Sequence, residues 1–164
     1  MLGFLSILVG VALLSVVTYV LARTVFLRSA ESRAYKRGLA QAESGDHNAA
    51  LREFLQADAS CGFTVARASP STLVSDLRRL SCILAQVAKE AQRLGTKLDL
   101  STSKQAIDRQ IAILSGKANV ALVAGKLRSE MEPEVNRLNL QLYHSRAALR
   151  AKCGALLAAS ARKP

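Results

Sequence analysis

The chain has 164 residues, with 23 lysines and arginines against 12 acids and a formal charge of +11; hydrophobic residues make up 50%, aromatics only 4%, and there is no tryptophan. Alanine, leucine, valine and isoleucine pack helices together but offer few platforms for stacking bases, and the cations are spread along the chain, which excludes an ordinary nucleic-acid binder. Cys61, Cys82 and Cys153 are widely spaced with no C-x-x-C, which excludes a disulfide framework and a zinc site and suits free thiols in a reducing compartment.

The first element is the run 2–22, LGFLSILVGVALLSVVTYVLA, which holds no charged side chain. As a helix at ~1.5 Å per residue it reaches roughly 30 Å, the thickness of a hydrocarbon core. A cleaved signal peptide is the competing reading, but no Lys or Arg precedes the run, and it is too long for such a segment. The expectation is a permanent transmembrane anchor over 1–27. Phe4, Tyr19 and Phe26 stand near its ends as belt residues would. Ser6 and Gly10 form a small-xxx-small pair suited to close helix packing. Arg23, Arg28, Arg33, Lys36 and Arg37 follow against one acid, Glu31. By the positive-inside rule they place the N-terminus outside and the rest of the chain on the cytoplasmic or equivalent side. The same five cations are candidates for holding anionic headgroups.

Nothing stops this helix from running on to about Glu43. Gly45-Asp46 then makes a turn, and His47 to Ala59 carries Ala50, Leu51, Phe54, Leu55 and Ala57 at helical spacing. Gly38, the Gly45-Asp46 turn, Ala50-x-x-x-Phe54 and Ala57 together resemble one tetratricopeptide unit, a helical hairpin of about 34 residues. The resemblance covers about 31–64. It implies that small residues let the two helices approach while Phe54 fills the groove between them. Ala34, Arg37 and Gln41 replace the usual large residues, Gly62 replaces the closing proline, and no second copy follows. One such unit cannot bury its apolar face alone, so 28–64 is expected to pack on later helices or on a partner.

Residues 65–71 read as a loop, with Pro70 placed for the first helical position after a Ser cap. Leu73, Leu77, Leu80, Leu84, Val87, Ala91 and Leu94 then alternate by four and three, a heptad seam closed by Gly95. A third helix follows the Ser101-Thr102-Ser103 cluster, with Ile107, Ile111, Leu114, Ala118, Ala121 and Gly125 on one face and Ile113, Val120 and Leu127 on another. Ser129-x-x-Glu132 is a capping box, and Pro133 predicts a break or kink between Gly125 and Pro133. The last helix is expected from about Glu134 to Ala159, with a stripe of Val135, Leu138, Leu142, Leu149, Cys153 and Leu156. From Arg137 onward the chain carries six cations and no acid.

The fold expected is therefore all-α. A transmembrane helix continues into a tetratricopeptide-like hairpin, and an antiparallel bundle of about three long helices occupies 72–164. Residues 66–164 are expected to fold alone as a helical monomer. For function, no G-x-x-x-x-G-K-[ST], H-E-x-x-H or G-x-S-x-G occurs. Glu130, Glu132 and Glu134 sit where acids complement a helix dipole. His47 and His144 are isolated, and the anchor offers no His for a pigment or haem. The reading is a non-enzymatic accessory or scaffold subunit without cofactors, working through helix–helix contacts with integral membrane subunits. A membrane-anchored adaptor for an acidic soluble partner or anionic lipid is the alternative, and a self-assembling homo-oligomer is the third. Nucleic acid is not expected as a partner.

Overall fold

The computed structural model describes the backbone of residues 2–61, 70–116 and 126–162, and side chains at 14–16, 18, 19, 26, 28–61, 72–115 and 133–162. Among them are five helices: α1 (Leu2–Glu43), α2 (His47–Ser60), α3 (Pro70–Arg93), α4 (Ser101–Gly116) and α5 (Lys126–Ser160). The all-α expectation holds.

The transmembrane part of the expectation does not. Among the described residues no helix is long and apolar enough to cross a membrane, which overturns the single-pass assignment, its orientation and the anchor over 1–27. From Arg28 onward α1 carries Arg28, Glu31, Arg33, Lys36, Arg37 and Glu43, and ion pairs to Asp76 of α3 and Glu53 of α2 make this part of it an element of the helical body.

Helix ends follow local chemistry. α1 stops where Gly45 takes φ +85; the Asp46 N–H reaches the Gln41 carbonyl at 3.0 Å and the Gly45 N–H that of Ala42 at 3.3 Å. α3 stops in the same way at Gly95, φ +86, with Thr96 N–H to Ala91 carbonyl at 2.8 Å. Both are Schellman ends, in which glycine takes the left-handed conformation without a Cβ penalty. Asp46 caps α2 by accepting from the Ala49 N–H at 2.9 Å. Pro70 is the first residue of α3, where its missing N–H costs nothing. Asp99 accepts from the Ser101 N–H at 2.8 Å, and this bond holds its carboxyl below the usual range.

The helix over the C-terminal part differs from expectation. α5 begins at Lys126 and passes through Pro133 without a break. Pro133 is the eighth residue of α5 and removes one intrahelical bond. Ala118, Val120, Ala121 and the capping box at Ser129 fall outside the described side chains, as does Leu127.

Each helix packs on the next in the chain, and α2 also touches α5. Side-chain pairs set the directions. Gly38 meets Phe54, His47 meets Glu90, Ser103 meets Ser145, and Asp58 meets Arg146 while Asn48 meets Ser160. These pairs make α2 antiparallel to α1, α3 and α5, and α4 antiparallel to α5. One core cluster takes Ala34 from α1, Phe54 from α2, Leu80 from α3, Ile107 from α4 and Leu142 from α5. The expected self-contained bundle over 66–164 is thus replaced by a core in which α2 covers α3 and anchors α5.

Candidate functional site

The hairpin is tight where small residues were expected. A Cβ on Gly38 would lie 2.7 Å from the Phe54 ring, closer than real contacts allow. Ala50, Phe54 and Ala57 are fully buried, and Tyr35 covers Phe54 with ring centroids 5.6 Å apart at 58°, an arrangement aromatic pairs favour. Gly45 makes the turn into α2. On α3, Leu73, Leu77, Leu80, Leu84, Val87 and Ala91 are buried and Leu94 is half-buried at the end of the seam. The heptad spacing thus marks a real core stripe, widened by Ile83 and Glu90, which are also buried.

Of the basic residues after the apolar run, Arg28, Arg33 and Arg37 have partners of different kinds. Arg28 pairs with Asp76 of α3 at 3.5 Å. Arg37 pairs with Glu53 of α2 at 2.9 Å, a bond that raises its pKa. Arg33 donates to the carbonyl of Ser29 on its own helix at 3.2 Å, while Lys36 is exposed. Buried Glu31 accepts from Arg79 at 3.2 Å, and Arg79 also holds Asp76 at 2.8 Å. Two of the five cations therefore join α1 to its neighbours. The side chains of Arg23, Ser6 and Gly10 lie outside the described residues.

The most constrained polar group escaped the sequence reading. Asp58 is only 1% exposed and Arg146 only 8%. Arg146 Nε donates to Asp58 Oδ1 at 2.8 Å. Its Nη2 donates to the carbonyls of Asp58 and, at 3.2 Å, of Cys61, and Arg150 Nε lies 3.6 Å from Asp58 Oδ2. One guanidinium so neutralises the carboxylate and satisfies carbonyls at the α2 C-terminus, which a helix end leaves without intrahelical partners. A second buried carboxylate, Glu90, accepts from His47 Nδ1–H at 2.8 Å and Arg93 at 3.0 Å. Ser103 donates to Ser145 at 2.8 Å, and Ser145 donates to the Leu142 carbonyl at 3.0 Å. A signal for the first pair was present. Asp58 lies seven residues after Leu51, on the apolar stripe of α2, and Arg146 fills the gap in the α5 stripe between Leu142 and Leu149. Opposite charges on two facing stripes predict a pair.

These groups tie helices to one another. Burial pushes the Cys61 thiol up to about 12 and the Cys153 thiol to about 11, so both are protonated and unreactive near neutrality. Cys82 is exposed. Among the described residues no three His, Cys, Asp or Glu side chains converge as metal ligands would. Among the described residues, the exposed large apolar side chains are Leu14, Val16, Tyr19 and Phe26 on α1, and Leu140 and Tyr143 on α5. Comparison of the chain with protein-family models, curated proteins and solved structures finds no match.

Proposed function

We propose that this chain is a non-catalytic helical scaffold that assembles with other proteins through helix–helix contacts. The observation that carries the reading is the first part of α1. Leu14, Val16, Tyr19 and Phe26 are each more than half exposed; at about 100° per residue Val16, Tyr19 and Phe26 share a face about 80° wide and Leu14 lies on the other side of the helix. A helix with exposed apolar residues on both sides is stable when other helices surround it. From Arg28 onward α1 is tied to α3 and α2 by ion pairs, so a partner gripping its first part is held rigidly to the five-helix body.

The test is native mass spectrometry of the full chain isolated from its own cells in neutral detergent. The expected result is a complex of fixed stoichiometry with helical partner subunits. The triple variant Val16→Asp, Tyr19→Asp, Phe26→Asp should lose those subunits while its circular dichroism stays unchanged. A chain that is a monomer in both forms would sink the proposal.

A further inference from the structure

We propose that α4 is a cover that opens as a unit from α3 and α5 while the other helices stay assembled. The motion is independent of what the first part of α1 binds. Its origin is the polarity of the inner face of α4. The buried side chains there are Ser103, Ala106, Ile107, Gln110 and Leu114, two of the five polar. α3, by contrast, buries a run of apolar residues from Leu73 to Ala91, and its buried charge, Glu90, is held by His47 and Arg93.

Gln110 is the exceptional residue. Ser103 has the Ser145 hydroxyl at 2.8 Å, but Gln110, only 2% exposed, has no hydrogen-bond partner for its Nε2 among the described residues. The pairs Ser103–Ser145 and Arg109–Glu134 set Gln110 beside the stretch of α5 between Glu134 and Leu142. The buried side chains of that stretch are Val135, Leu138 and Leu142, and none of them can accept a hydrogen bond. A buried donor left unpaired carries its whole desolvation penalty. Moving α4 outward returns that donor to water.

Little else holds α4 in place. It packs on α3 and α5. Its ion pair, Arg109 with Glu134, has side chains 59% and 39% exposed, and a pair so open to solvent adds little. The ties among the other helices bypass α4. Asp58 with Arg146 joins α2 to α5, His47 with Glu90 joins α2 to α3, and Glu31 with Arg79 joins α1 to α3. Asp58, Glu90 and Glu31 are buried, so parting those helices strands a charge. Lifting α4 breaks none of these pairs. Local opening follows the route with the fewest buried apolar contacts, and in this molecule that route is α4.

The experiment is hydrogen–deuterium exchange of the full chain in neutral detergent, read by mass spectrometry on peptides from each helix. After correction for intrinsic rates, the interior amides of α4 should exchange roughly tenfold faster, or more, than those of α2 and α3. Their rates should also respond more weakly to urea, because opening one helix exposes less surface than unfolding the chain. Phe54→Leu should speed exchange in α2 and α3 and leave α4 unchanged, since Phe54 stays packed when α4 opens. Gln110→Leu and Gln110→Met each remove the unpaired donor and should slow α4 by about tenfold. If α4 exchanges as slowly as α3, or speeds up in step with it in F54L, α4 unfolds only with the whole chain and the proposal fails. It fails equally if both Gln110 variants leave α4 exchange unchanged or make it faster, because the amide then has a partner.

Discussion

α2 and the first part of α1 break the inside–outside rule in opposite ways. α2 is short, lies among α1, α3 and α5, and buries a charge: Asp58 is enclosed with Arg146. At its start, His47 reaches another buried carboxylate, Glu90. Before Arg28, α1 does the reverse and leaves Leu14, Val16, Tyr19 and Phe26 in water. A buried charge tolerates few geometries, because any other arrangement leaves it unpaired. It therefore fixes which helix neighbours which and in what register. An exposed apolar side chain makes no such geometric demand and records only that a covering surface is missing. Within the apolar core of this protein, helix register is marked by the buried polar pairs.

The comparison breaks most completely if α2 is removed. Residues 66–164 alone lose the cover of the α3 seam and the partner of Arg146. They are expected to show no cooperative melting by circular dichroism; a sharp transition would mean that α2 is dispensable. Next in size, Asp58→Ala leaves Arg146 buried without a carboxylate and should cost about 3–5 kcal/mol in denaturant unfolding. The double variant Asp58→Leu, Arg146→Leu should recover much of that loss, since a packed apolar pair replaces the ion pair. Phe54→Ala should cost about 3–4 kcal/mol, and Gly38→Leu should also destabilise because the Phe54 ring occupies its space.

A smaller effect comes from the thiols. Burial raises Cys61 to about 12 and Cys153 to about 11 from an ordinary 9.0. The folded state then holds protons that the unfolded state releases. Stability from these two groups is full below about pH 9 and falls as pH rises toward 11 and 12. Cys61→Ala should flatten that alkaline slope, measured by urea midpoints between pH 8 and 10.5. Iodoacetamide at pH 8 should label Cys82 alone until the chain unfolds. Smallest of all, Tyr19→Ser and Phe26→Ser should shift stability by no more than about 0.5 kcal/mol. A large loss from either would mean that α1 is covered from within the chain.

Much of the fold was legible wherever one kind of side chain repeats. The four-three spacing from Leu73 to Ala91 marked the buried face of α3, and Gly38 with Phe54 marked the hairpin contact. Gly45, Gly95 and Pro70 marked helix ends, because few residues suit those backbone positions. Asp58 and Arg146 were missed because stripes were traced through apolar residues only, so a charge in the stripe looked like a gap. Of the break or kink expected at Pro133, α5 shows no break from Lys126 onward. The apolar run 2–22 was read as a span from its length, its lack of charge and its flanking aromatics and cations; among the described residues no helix is long and apolar enough to cross a membrane, and no periodicity reports what a continuous apolar helix meets.

The link between Arg146 and the end of α2 has a consequence for how the protein is made. When the ribosome has finished α2, the guanidinium that neutralises Asp58 lies 88 residues further along the chain. At about 5–20 residues per second, roughly 4 to 18 seconds pass before it is even synthesised. During that interval the hairpin carries a carboxylate and helix-end carbonyls that only water or a chaperone can serve. A message truncated before codon 146 would yield a chain with α1, α2 and α3 in place and the α2 terminus permanently open. Such a product should be a preferred substrate for quality-control proteases, however complete its first three helices.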